Sequence, residues 1–543
     1  MLGKQAIAEF LSRNNIDYVF QLPGLHTLPL NALLSQQKNI RIITGRHESN
    51  LIFMADGYAR ASGKPGVLVV TAGPGLGNSV SGCMEAFNSD VPLLVIHVDV
   101  ERKDIAKGIL HGIAEPEAIF KHITKKTYFV SDIRDLAAVL EDAYRQCLSG
   151  RKGPVLASIP YTFFEKEIPT GLSSQAIEPD ENCITSADNE QKRLDLFFNR
   201  FEELMRGKIK PLIIGGGALL KKETGLILDQ ICRETSIPFL TTTGGKGVLR
   251  EDSQYAFGNI MKKGITRDII ASSDIVIAIG TRLRDVDAKR RSVKIKELVH
   301  VDIDDQWIDK NYPSQLQFTG DLIKALHGIQ DILNKRAFKW DIKSLTISRE
   351  KEESLLLKQS SAYALIKHIR KAIPENTTIV CDLNIPSYWS EYYLPIYYQN
   401  SFLMPRGISP IFYSLPASIG AKLGRPDRPC IALCGDGGAL PTVGELVTVQ
   451  QYNIPVVVFI HNNSSFAILE DTMIDRYDIH GSMNLKNPDF VKIARAFGIK
   501  AKRTKTLKGL EKIFRDDITW NEPFLIEFVH PVSPPPWKWK GSE

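Results

Sequence analysis

The 543 residues include only 7 cysteines, an odd number with no Cys-x-x-Cys pair. A disulfide framework or a zinc site is therefore not expected, and Cys430 and Cys434 read as buried thiols in an apolar strand pattern. No apolar run approaches the ~20 residues that cross a bilayer; Val91 to Val98 and Ile454 to Ile460 suit buried strands instead. The N-terminus sets Lys4, Glu9 and Arg13 where a secretory signal needs an apolar core, so a cytoplasmic location without membrane contact is expected. Charge of one sign is also scarce. Basic and acidic residues number 68 and 62, no Lys/Arg run concentrates the net +6, and no nucleic-acid partner is expected.

What is present is the composition of an ordinary globular protein, 43% hydrophobic and 24% charged, with mean hydropathy −0.11. At roughly 150 residues per domain the length calls for three or four domains. Two stretches poor in periodic apolar residues, 168–191 and the charged 335–359, divide the chain into 1–167, 190–335 and 355–543. Each part alternates short β-branched runs with longer helical patterns, which predicts three consecutive α/β domains with parallel sheets. The outer two share a rhythm: Gly73 to Pro92 spans 19 positions and Gly435 to Pro455 spans 20, each leading from a glycine turn through a helix to the next strand. This suggests a duplicated unit around an unrelated middle domain, with chance similarity of βαβ units as the alternative.

The third part holds the most informative pattern, Gly435-Asp436-Gly437 followed by 24 residues and Asn462-Asn463. In a βαβ unit both ends emerge at the same carboxyl edge, so Asp436 and Asn463 should face one crevice. Neighbouring strands lie ~4.8 Å apart, close enough for a carboxylate and an amide carbonyl to share a hard cation such as Mg²⁺ at ~2.1 Å. Gly437 and Gly438 leave room for an anion at the helix start that follows. Either motif alone reads as a turn; together, at this spacing, they favour a metal and phosphate site.

The arrangement resembles the thiamine diphosphate motif of the 2-oxo-acid decarboxylases and acetohydroxyacid synthases, enzymes similar to acetolactate synthase and benzoylformate decarboxylase. The resemblance runs along nearly the whole chain: Tyr18-Val-Phe-Gln-Leu-Pro-Gly24, Arg46-His-Glu48, Ala55-Asp-Gly-Tyr-Ala-Arg60 and Gly73-Pro-Gly75 to Asn78 follow in the family's order. It implies an N-terminal pyrimidine-binding domain, a Rossmann-like centre and a C-terminal diphosphate-binding domain, with thiamine diphosphate and Mg²⁺ as cofactors. By resemblance Asp436, Asn463 and the main-chain carbonyl of Ser465 hold the metal. Glu48 hydrogen-bonds the pyrimidine nitrogen, so that the coenzyme's own imino nitrogen takes the proton from thiazolium C2. Ile411 is placed as the apolar wedge that bends the coenzyme, and Gly24, Gly75, Asn78, Asn384, Ser387, Ser409, Gly435, Phe466 and Ala467 complete the expected binding set. Because the family divides each site between two subunits, a homodimer or homotetramer is implied.

The implied reaction is carbon–carbon cleavage of a small 2-oxo acid by decarboxylation, with carboligation of the product as an option. The match thins after the Asn pair, where Ser464-Ser-Phe-Ala-Ile-Leu-Glu470 lacks the synthases' Gln-Trp, and at Tyr161, where they tend to carry Lys. The tandem His of pyruvate decarboxylases is reduced to His111. His26, His111 and Glu470 are the candidate proton-handling groups. A pyruvate-using acetolactate synthase and a catalytically silent thiamine diphosphate-binding regulatory protein are the alternatives, the latter disfavoured by retention of Glu48 and the metal set. In the middle part, Gly215-x-Gly217-x-x-Leu220 fails the dinucleotide fingerprint at its last position; FAD is allowed by the domain type but not expected.

Overall fold

Short aliphatic runs buried on both faces, such as Leu93–Asp99 and Val457–His461, become central strands, and the helical patterns between them cover the faces. The computed structural model describes residues 1–169, 187–288 and 293–538. Most of the first expected divider, and Cys183 within it, lie outside the described residues.

The first sheet contains β1 (Tyr18–Gln21), β2 (Arg41–Thr44), β3 (Gly66–Thr71), β4 (Leu93–Asp99), β5 (Lys126–Phe129) and β6 (Pro154–Pro160), in the order β2-β1-β3-β4-β6-β5. The second contains β7 (Pro211–Gly215), β8 (Phe239–Thr241), β9 (Ala256–Asn259), β10 (Ile275–Ile279), β11 (Leu298–Asp302) and β12 (Leu316–Thr319), in the order β12-β11-β10-β7-β8-β9. Numbered within the domain this is 6-5-4-1-2-3, the doubly wound dinucleotide order read from the other edge. The third contains β13 (Thr378–Cys381), β14 (Phe402–Leu403), β15 (Cys430–Gly435), β16 (Val457–His461), β17 (Lys500–Thr504) and β18 (Phe524–Phe528), in the order β14-β13-β15-β16-β18-β17. Within-domain numbering makes that 2-1-3-4-6-5, identical to the first sheet. Each pairing given between these strands is parallel, so three α/β domains with parallel sheets stand in succession, and the outer two share one topology.

The two outer domains meet through equivalent helices, Glu48–Ser62 after β2 and Ser414–Gly424 after β14. Glycine permits the approach. A Cβ on Gly57 would stand 2.0 Å from the Ala417 carbonyl oxygen, and one on Gly420 would stand 1.7 Å from that of Met54. The apolar core is continuous across this seam.

The charged 335–359 stretch differs from its expectation as an unpatterned divider. Residues Ile342–Gln359 form a helix in which only Ile342 and Leu356 are buried. Polar contacts replace the missing apolar stripe: Asp341 caps it by accepting from the Ser344 amide, Glu352 accepts from the Ile265 amide at 3.0 Å, and Arg349 donates to the Ala256 carbonyl at 2.6 Å. The six described cysteines are buried and unpaired. No helix among the described residues is long and apolar enough to cross a membrane.

Candidate active site

The β15–β16 register pairs Gly435 with His461, so the residues immediately beyond, Asp436 and Asn462, leave adjacent strand tips on one edge. Their side chains converge. The Asn487 side-chain amide donates to Asp436 Oδ2 at 2.6 Å and to Asn462 Oδ1 at 3.0 Å, placing two oxygen acceptors around one partly positive group. Asn462 also donates to Glu527 Oε1 at 2.7 Å, which fixes its orientation, whereas Asn463 follows half-buried in the turn. Next, Ser464 takes φ +55 and the Ser465 hydroxyl is buried with no partner. Backbone held in the left-handed region beside an orphaned polar atom marks a loop shaped for something other than its own stability.

The glycines are required by close approach. A Cβ at Gly437 would meet the Phe466 ring at 2.3 Å, and one at Gly438 would meet the Ile411 carbonyl oxygen at 2.0 Å and Asp382 Oδ2 at 2.7 Å. Ile411 therefore stands over the glycine turn, with 39% of its surface exposed. Asp382, at the tip of β13, is buried and its carboxyl is pushed up to about 8 by burial. Asn384 caps the helix Ile385–Tyr393 through the Ser387 amide and donates to the Leu433 carbonyl at 2.9 Å; Ser387 donates to the same carbonyl at 3.3 Å. These two expected coenzyme contacts thus brace the strand beneath the turn. Glu470, expected to handle protons, accepts from the Gly481 and Met483 amides and pins the segment that carries Asn487. Ala467 opens the intervening helix, Ala467–Tyr477.

The first domain builds a second cluster at the equivalent edge. Glu48 is the first residue of its helix, 6% exposed, and its Oε2 accepts from Asn78 at 2.9 Å. Gly75 lies beneath the other oxygen, 3.6 Å from where its Cβ would be. Beside them His26 meets Thr71 Oγ1 at 3.3 Å, with its ring 5.9 Å from His111 and 5.0 Å from Tyr161. Burial and the neighbouring His111 hold His26 below the usual imidazole value, which favours the neutral ring. His111 has φ +68 and presses on Gly73, while Gly24 packs on Thr71. Expected residues therefore assemble at two sheet edges, His26, Glu48, Asn78 and His111 at one and Ile411, Asp436 and the Asn pair at the other. Ser409, two residues before Ile411, takes φ +60 and its amide donates to Glu85 at 3.3 Å.

Sequence reasoning passed over Asn487, Asp382 and Glu445. None was singled out by the motifs: Asp382 stands two residues before Asn384, Glu445 nine after Asp436, and Asn487 returns to Asp436 from 51 positions away.

A cavity of about 550 Å³ lies where the central domain, through Gly217, Gly280 and Arg282, meets the first domain at Arg60 and Arg151 and the third at Arg406. It opens at the carboxyl edge between β7 and β10, where strand order reverses. Burial pushes the Asp302 carboxyl up to about 6 and lowers Arg282 to about 10.

Comparison with known proteins agrees with this geometry along the chain. Residues 1–119 match the family described as thiamine pyrophosphate enzyme, N-terminal TPP binding domain; 199–329 match its central domain and 385–528 its C-terminal TPP binding domain. A probable 2-ketoarginine decarboxylase of Pseudomonas aeruginosa is 31% identical over 534 residues, covering 97% of this chain and 93% of that protein. A probable acetolactate synthase large subunit of Methanococcus aeolicus is 28% identical, covering 97% and 92%, and an acetolactate synthase large subunit of Lactococcus lactis is 29% identical, covering 97% and 92%.

Proposed function

This chain belongs to the thiamine pyrophosphate enzymes, and on that premise we propose that it is a decarboxylase proper, releasing CO₂ and an aldehyde from a 2-oxo acid rather than committing the product to acetolactate. It is a thiamine diphosphate-dependent enzyme of 2-oxo acids. When bound, the coenzyme supplies the carbon nucleophile that adds to the 2-carbonyl and the electron sink for the pair released with CO₂.

The observation that carries the reading is the pair of clusters: a buried carboxyl oriented by an amide at one edge, and convergent oxygen donors over a glycine turn at the equivalent edge. The oxygens brought together by Asn487 are those of Asp436 and Asn462; with Asn463 and the Ser465 carbonyl next in the turn, Asp436 would offer the all-oxygen set suited to Mg²⁺, and the glycine turn makes room for a diphosphate. Asn78 leaves one Glu48 oxygen free to share a proton with a pyrimidine nitrogen. Ile411 supplies the apolar shelf. His26, His111 and Tyr161 ring the space next to Glu48, where a neutral imidazole and a phenol hold protons for the departing product. Two copies of the chain, as a dimer or tetramer, bring the Glu48 edge of one against the Asp436 edge of the other. The missing Gln-Trp after the Asn pair and Tyr161 in place of Lys argue against a dedicated synthase. The relative's name makes 2-ketoarginine the first acid to test.

Product analysis by NMR across a panel of 2-oxo acids, with and without aldehyde acceptors, tests the reading. CO₂ release should require both thiamine diphosphate and Mg²⁺, and Glu48→Gln should remove most of it. Undiminished turnover in that variant overturns the role of Glu48, and acetolactate as the dominant product overturns the choice of decarboxylase. A visible absorbance scan of the purified protein reports any flavin in the central cavity.

A further inference from the structure

Two fully buried glutamates sit one in each outer domain, on the helical segments that follow the two glycine turns, and each reaches across to the other domain. Glu445, nine residues after Asp436, accepts from the Arg46 amide at 2.9 Å and from the Asn50 side chain at 3.0 Å, while Thr448 holds its second oxygen at 2.7 Å. Around it Tyr452 Oη accepts from the Thr44 amide at 2.9 Å and Gln451 accepts from the Arg46 guanidinium at 2.6 Å. The segment so held, 44–50, carries Glu48. Reciprocally, Glu85 accepts from the amides of Gly407 at 3.0 Å, Ile408 at 2.8 Å and Ser409 at 3.3 Å, and from Arg60 at 3.1 Å and Ser89 at 2.7 Å. The loop it holds runs into Ile411.

We propose that Glu445 and Glu85 are reciprocal positioning residues, each fixing the loop through which the other domain presents its coenzyme-facing side chain, Glu48 in one case and Ile411 in the other. Ordinary interface packing is met by apolar contact, and the seam between helices Glu48–Ser62 and Ser414–Gly424 already provides it. A buried carboxylate that accepts directed hydrogen bonds from the other domain's loop, three consecutive backbone amides at Glu85 and one amide with the Asn50 side chain at Glu445, does something different, because such bonds fix a loop's position more stiffly than dispersion does. Glu445 also shares one short segment with Asp436, so the metal turn and the Glu48 loop of a single chain are mechanically joined. The role rests on the reading that Glu48 and Ile411 touch the coenzyme.

Amide hydrogen exchange on the coenzyme-free protein tests the bracing without reference to catalysis. Glu445→Ala should speed exchange about tenfold or more at 46–51 while leaving β15 and β16 protected, and Glu85→Ala should do the same at 407–409 while leaving β3 and β4 protected. With coenzyme, Glu445→Ala should lower kcat about 10- to 100-fold at nearly constant KM. Glu445→Gln keeps an acceptor for Arg46 and Asn50 and should restore kcat to within about threefold. Should Glu445→Ala not fold, Asn50→Ala removes a donor from the opposite side. It should lower kcat severalfold, and Glu445→Gln should add less than its own effect in that background. Faster exchange confined to the mutated residue's own domain, equal losses in the Ala and Gln variants, or strict additivity with Asn50→Ala overturns the proposal. If Glu48→Gln proves fully active while the exchange pattern holds, the assignment of Glu48 fails and the bracing stands.

Discussion

The first and third domains lay six parallel strands in the same order, yet the turn after the third strand reads Gly-Pro-Gly in one and Gly-Asp-Gly in the other. In the first domain that turn offers no charged side chain, and Asn78 just beyond it orients Glu48. In the third, the same place puts a carboxylate at the strand tip. The next strand diverges likewise. Counted from Pro92 and Pro455, Asp99 occupies the position of Asn462. Asp99 is a buried acid pushed up to about 6 with one oxygen accepting no hydrogen bond, whereas Asn462 is tied on both sides. One scaffold thus yields an acid-presenting edge and an oxygen-donor edge through a few turn residues, because sheet topology fixes where side chains emerge and not what they are.

The seam between the first and third domains should be the most sensitive place. Gly420→Ala drives a methyl to 1.7 Å from the Met54 carbonyl oxygen, and helix backbone cannot yield as a side-chain tip does. A loss of about 3 kcal/mol or more is expected, seen as a large drop in thermal midpoint or as insoluble protein. A near-neutral outcome would mean that the two helices do not pack as described.

The equivalent turns offer a finer contrast. Gly438→Ala meets the Ile411 carbonyl oxygen at 2.0 Å, while Gly77→Ala has open space within 4 Å and lies in a helix. The first should cost about 1–3 kcal/mol and sharply weaken thiamine diphosphate binding in a titration. The second should leave binding intact and gain about 0.4–1 kcal/mol. Equal effects would erase the distinction between the turn proposed to cradle the coenzyme and its counterpart in the first domain.

Much of this was readable in one dimension. The Gly-Asp-Gly to Asn-Asn spacing and the strand patterns on either side required Asp436 and the Asn pair to share an edge, since a right-handed βαβ unit has little other choice. The repeated 19- and 20-residue rhythm likewise foreshadowed the twin sheets. Contacts made across long stretches of chain, between domains or within one, were not readable. Glu445 and Asn50 are 395 positions apart and Asn487 is 51 from Asp436, and nothing in the local pattern of any of them announces a partner. The helix at Ile342–Gln359 was hidden for the opposite reason: with two buried residues it has almost no apolar period, and its support comes from polar contacts with other elements.

The smallest predicted effect concerns Asp99 and its counterpart. Burial raises the Asp99 carboxyl above its ordinary value of 3.8 to about 6, with His97 Nε2 3.8 Å away, itself lowered to about 3 and so neutral, and Arg102 also at 3.8 Å. A carboxyl with a raised folded-state pKa binds its proton more tightly when folded. Its contribution is therefore fully present below the ordinary aspartate range and is lost as pH rises through about 6. Asp99→Asn removes that term. The thermal midpoint of the variant relative to the parent should climb by a few degrees as pH rises through that window, then level off. In the third domain the reverse exchange, Asn462→Asp, sets a new carboxylate against Glu527 and Asp436, and should lose stability as pH rises. A pH-independent difference for Asp99→Asn would show that its carboxyl is already ionised in the folded protein, with Arg102 outweighing burial, and the two strand tips would then differ by a full charge.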